Sequence, residues 1–132
     1  MTTTTHSFRA CGLLLLGVLA LASGCGGTPA TADADQARRT LIAALDAWKS
    51  GETPDALAAR SPAIHVSDTD WSSGATLTGY EAADSARLAG YDLSFAVVLE
   101  LKGPKAKAPT KSKAVYVVST HPKALVLRQV DP

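Results

Sequence analysis

Asp68, Asp70 and Trp71 lie together in DTDWSSG, a turn-rich stretch from Asp68 to Gly74, and form the first group whose residue types could make a site. Two carboxylates one residue apart, followed by Ser72, match the opening of a calcium-binding loop. That chemistry also requires Gly at the sixth place and Glu at the twelfth. Ser73 and Gly79 stand there instead, so the acids are read as turn residues bonded to nearby backbone. Trp71 either closes one end of the core or, with Asp68 and Asp70, contacts a partner, since Trp is enriched at binding hot spots. His65 alternates with Ile64 and Val66 and so faces the polar side of a strand, while His121 precedes Pro122 in a turn. Neither has a second His or Cys at ligand spacing, so no metal site is expected. No Gly-x-Ser-x-Gly elbow and no Gly-rich phosphate loop is present. The expectation is of no catalytic residues, no cofactor and no enzyme.

Cys25 is the other residue with chemistry to offer. Arg9 and the α-amine precede an apolar run from Ala10 to Ala22 dominated by leucine, and Ser23 and Gly24 then lead to Cys25. A basic start, an apolar middle and a small-residue junction are the parts of a secretory signal peptide. The apolar run is shorter than the roughly 20 residues that span a bilayer as a helix, so a permanent transmembrane anchor is the weaker reading.

The junction Ala22-Ser23-Gly24-Cys25 resembles the lipobox of bacterial lipoproteins, with Ala22 where that family prefers Leu and Leu21 one step earlier. The resemblance implies that the Cys25 thiol receives a diacylglyceryl group and that the bond before it is cut. The new amino terminus is then often acylated. It also implies a lipid-anchored protein on the extracytoplasmic or periplasmic side of a cell membrane or outer membrane. Two chains on one sulfur make dissociation slow, whereas a single acyl chain binds only reversibly. Gly26 after the cysteine lacks the Asp that marks inner-membrane retention in such proteins, which leans toward an outer membrane where one exists.

Charge excludes one class of partner. The chain has 13 Lys and Arg against 12 Asp and Glu, and only Arg9 precedes Cys25. The mature chain is therefore formally neutral, with no basic field for nucleic acid. Lys102, Lys105, Lys107, Lys111 and Lys113 form a local basic run, read as a solvated loop, with anionic lipid headgroups as the sharper alternative. The only cysteines are Cys11 and Cys25, so a mature domain would hold neither disulfide nor free thiol.

The organisation expected is a signal peptide over 1–24, the lipidated cysteine and a flexible tether over 25–33, and one domain over 34–132. Ala37, Leu41, Ala44, Leu45 and Trp48 recur at helical steps and predict a helix from about Ala34 to Ser50, capped by Asp33, with Gln36 reaching back, and stopped by Gly51. Asp35 and Arg39 are expected to pair along it. Thr53-Pro54 starts a short second helix. Ile64 to Ser67 and Ala75 to Ala82 predict strands, and Asp84 to Gly90 a connection. From Tyr91 to Lys102, strict alternation places Tyr91, Leu93, Phe95, Val97, Leu99 and Leu101 on one buried face. Lys113 to Thr120 and Ala124 to Val130 complete the set. The fold class is α+β: after the signal helix, an amphipathic helix and a short helix on a four- to five-stranded antiparallel sheet, joined as a meander.

LDAWKSGETPDAL, DTDW and VYVVST together resemble a class of small bacterial lipoproteins of unknown function. A helix ending in Trp-Lys-Ser-Gly, a second helical turn and then strands is also similar to NTF2-like and cystatin-like folds. The leading functional expectation is a membrane-tethered domain that binds an envelope protein through the polar sheet face or the Trp71 loop. The alternatives are a small-molecule binder or isomerase-like enzyme with a pocket between helix and sheet, and a passive envelope component. A concave pocket with polar groups favours the small molecule; a flat apolar patch near Trp71 favours the protein.

Replacing Cys25 with Ala is expected to abolish acyl labelling and move the protein from the membrane fraction to the soluble one. Unchanged labelling and sedimentation would refute the anchor.

Overall fold

A computed structural model describes residues 33–130; Cys25 and the signal and tether expected before it lie outside the described residues. The fold is α+β, as the residue pattern predicts. The first helix, α1, spans Ala34–Lys49, and Asp33 caps it by accepting from the amides of Asp35 and Gln36. The reciprocal bond from the Gln36 side chain is not formed. Ala37, Leu41, Ala44, Leu45 and Trp48 are all buried on one face. Arg38 pairs with Asp84 across the fold, and the expected Asp35–Arg39 pair is absent. A second helix, α2, runs Pro54–Ala58 behind the Thr53 cap, whose hydroxyl accepts from the amide of Ala56.

Six strands follow: β1 Ile64–Ser67, β2 Thr76–Ala82, β3 Arg87–Ala89, β4 Asp92–Lys102, β5 Thr110–Ser119 and β6 Ala124–Arg128. Their order is β1-β6-β5-β4-β2, with β3 also on β4. Three expectations change. The sheet is not a pure meander, because β1 pairs with β6 in parallel, from Ile64↔Ala124 to Ser67↔Leu127. The segment read as a connection contains β3, paired as Arg87↔Ser94 to Ala89↔Asp92. Tyr91 does not begin the buried face; it sits in the turn between the paired residues Ala89 and Asp92 and is 89% exposed. The buried face otherwise follows the alternation, with Leu93, Phe95, Val97, Leu99 and Leu101 packed beside Ala114, Tyr116, Val118 and Val126. Burying a large apolar side chain of this kind contributes about 1.5–3 kcal/mol.

The stretch from Asp68 to Gly74 is not a loop. Thr69–Ser72 forms a one-turn helix, α3, capped by Asp68, which accepts from the amides of Asp70 and Trp71. The two Trp-bearing helices end alike, in Trp48-Lys-Ser-Gly51 and Trp71-Ser-Ser-Gly74. Each glycine has a positive φ, +88° and +90°. The residue after each glycine bonds back across the end: Glu52 N–H to the Ala47 carbonyl and Ala75 N–H to the Asp70 carbonyl.

These two ends clasp each other. The indoles stack with centroids 5.1 Å apart and an interplanar angle of 5°. Trp48 Nε1–H donates to the Ala75 carbonyl at 2.8 Å, and Trp71 Nε1–H donates to the Glu52 carbonyl at 2.9 Å. Each ring therefore satisfies the carbonyl just beyond the other helix's stop. In urea denaturation, Trp48→Ala and Trp71→Ala should each cost about 3–5 kcal/mol. The double variant should cost less than their sum, since either change alone removes the stack.

Candidate functional site

Asp68 lies at the junction of β1 and α3, and its side chain is 0% exposed. A bare carboxylate in that position would be strongly disfavoured, so donors surround it. Its Oδ1 accepts from the α3 amides of Asp70 at 2.9 Å and Trp71 at 3.1 Å, and Arg128 Nη1 stands 3.4 Å away. Its Oδ2 accepts from the Tyr116 hydroxyl at 2.5 Å. Arg128 also donates to Asp70 Oδ2. Register explains the meeting: Tyr116↔Arg128 are partners on β5 and β6, and parallel β1 carries Asp68 up beside them.

Electrostatics follow the geometry. Burial raises the pKa of the Tyr116 hydroxyl, and the bond to Asp68 raises it further. Burial works against the charge on Arg128, but the hydrogen bond to Asp70 and the field of Asp68 outweigh it, so the guanidinium is held protonated. On the helix side, Tyr80 of β2 donates to Asp46 of α1 at 2.5 Å, and its pKa is pushed up to about 12 by partial burial and then by Asp46.

The three residues expected at a partner contact are not alike in exposure. Trp71 is 6% exposed and Asp68 3%, and both side chains are used inside the fold. Only Asp70 is substantially accessible, its side chain 41% exposed. Among the described residues no group of three His, Cys, Asp or Glu side chains converges to hold a metal ion. No described helix is long and apolar enough to cross a membrane.

The space between helix and sheet, where the small-molecule alternative would need its pocket, is filled by Leu41, Leu45, Phe95 and Tyr116, each 0–1% exposed. An open groove of about 740 Å³ lies elsewhere, lined by β2, β4, β5 and β6 with Ser67, Thr69 and Asp70, and by no residue of α1. Its floor is the sheet face turned from the helix. One row across that face runs Glu81–Val98–Lys113, and the next runs Ala96–Val115. Gln129 extends the second row, its backbone N–H donating a hydrogen bond to the Val115 carbonyl. Glu81 and Lys113 form no ion pair, whereas Glu100 and Lys111 one row on are paired at 3.6 Å. Arg128 and Asp70 stand at the groove's α3 end.

Comparison with protein-family models, curated proteins and solved structures finds no match.

Sequence reasoning found Asp68 and Asp70 but missed Tyr116 and Arg128, which spacing along the chain does not link to them. The Trp-x-Ser-Gly repeat was the available signal that Trp71 ends a helix as Trp48 does.

Tyr116→Phe leaves a buried carboxylate oxygen without its donor and should cost about 1–3 kcal/mol at neutral pH. The folded pKa of Tyr116 lies above its unfolded value, so its contribution is complete below about pH 10 and falls as pH rises beyond that. Stability measured by denaturant across alkaline pH should therefore decline more steeply in the native chain than in Tyr116→Phe.

Proposed function

We propose that this chain is a lipid-anchored extracytoplasmic binding domain whose site is the groove on the open sheet face. The observation that carries the reading is the groove itself. Its volume of about 740 Å³ lies in the range of small-molecule sites, and its floor of Val98, Ala96 and Val115 is apolar. The occupant that fits is a small amphipathic molecule. An apolar body would cover the floor, and charged groups would meet Lys113 or Glu81, which pair with no opposite charge among the described residues and stand across β4 from each other.

Binding is favoured over catalysis by the state of the polar groups. Asp68, the buried carboxylate, has its oxygens committed to two amides, Tyr116 and Arg128. Neither His65 nor His121 lines the groove. The Trp71 route to an envelope protein loses its support, because the ring is buried. The lipid anchor at Cys25 rests on the signal and lipobox pattern and would hold the groove close to molecules of the envelope.

Ala96 is exposed on the groove floor and outside the core, so Ala96→Trp fills the groove without disturbing the packing under α1. Native mass spectrometry of the full chain extracted from membranes should show a co-purifying small molecule that Ala96→Trp loses while its melting temperature is unchanged. A chain that carries nothing, or a ligand held equally by both forms, would overturn the groove assignment.

A further inference from the structure

We infer that the β3–β4 hairpin tip, bearing Leu88 and Tyr91, touches the lipid bilayer and sets how the anchored domain stands on it. The inference rests on the lipid-anchor reading of Cys25. Leu88 is 79% exposed and Tyr91 89%, although Leu93, the strand partner of Leu88, is only 5% exposed. The tip is a two-residue loop, Gly90–Tyr91, closed by the pair Ala89↔Asp92, with Gly90 at φ +67°. It is thus a paired hairpin that presents one aliphatic and one phenolic side chain to solvent. Tyrosine, with an apolar ring and a polar tip, suits the headgroup boundary of a bilayer.

The direction of α1 places this tip at the tethered end. Trp48, near the helix's last turn, bonds to Ala75 before β2; Asp46 bonds to Tyr80 within β2; Arg38 bonds to Asp84 beyond β2 at 3.1 Å. The helix therefore runs antiparallel to β2, and its first residues lie toward β3 and the hairpin. Cys25 precedes Asp33 by eight residues, which span at most about 28 Å whatever path they take. The acylated residue is held within that reach of Asp33, at the end of α1 that lies toward the hairpin.

Such a tether keeps the tip at high effective concentration beside the membrane, so a contact too weak to recruit a free domain suffices to orient a bound one. The strand register sets the opposite end. Leu93↔Val118 lies at the tip end of β4–β5 and Leu101↔Thr110 at the other, where the loop with Lys105 and Lys107 turns. Asp84 is already paired with Arg38, and on the hairpin itself the single cation Arg87 is balanced by the single anion Asp92. The contact is therefore apolar insertion rather than attraction to anionic headgroups.

The test uses the full acylated chain in vesicles of phosphatidylethanolamine and phosphatidylglycerol. A fluorophore is placed at Ala89→Cys or, as the control, at Lys105→Cys, and nitroxide-bearing lipids act as quencher. Quenching at position 89 should exceed that at 105 several-fold. Adding Leu88→Ser and Tyr91→Ser should bring it down to the control while flotation with vesicles is unchanged. Equal quenching at the two positions in a chain that floats would overturn the tip contact alone. Cross-linking of position 89 between copies in place of quenching would assign the tip to a second copy and overturn it too. A chain that does not float would overturn the anchor and the tip contact together.

Discussion

A carboxylate held wholly out of water organises this domain. Asp68 cannot stay charged in the interior unless donors meet both oxygens, and they come from three separate parts of the chain: the first amides of α3, Tyr116 on β5 and Arg128 on β6. Meeting that demand fixes where α3 stands against the sheet. Since α3 carries Trp71, it also fixes where the indole meets Trp48 and hence where the C-terminal end of α1 is seated. One buried charge thus couples the end of the helix layer to the register of the sheet.

The two layers leave the sheet with unlike faces. Under α1 the odd-numbered residues of β4 and their neighbours on β5 and β6 form a close-packed core. On the other face, small and β-branched residues are bounded by charged ones, and the curled strands leave an open groove. The same α3 turn that closes the core also walls one end of that groove through Thr69 and Asp70. Arg128 belongs to both, since its guanidinium neutralises Asp68 inside and pairs with half-exposed Asp70 outside. Core stability and the shape of the candidate site are therefore not independent in this fold.

Much of the helix layer was legible from residue types, because its signals are local. An Asp cap, apolar residues at helical spacing and a stop glycine lie within one stretch of chain and report α1 nearly to the residue. The alternation of β4 is equally local. The third helix was not legible, because one turn is too short to show a period, and Asp-Thr-Asp-Trp is also good turn chemistry. Three-residue β3 was missed for the same reason, and Tyr91 kept the right parity but fell in the turn that closes the β3–β4 hairpin.

By itself the sequence determined the class of the fold, the first helix with its caps and the inward face of the longest strand. Each depends on the period and chemistry of neighbouring residues. Only the tertiary structure decided that β1 would join β6 in parallel, that Asp68 would find Tyr116 and Arg128, and that Trp71 would turn inward to Trp48. Those contacts join residues between 23 and 60 positions apart. Which distant groups meet is set by desolvation and packing of the whole chain at once, and no local pattern encodes it.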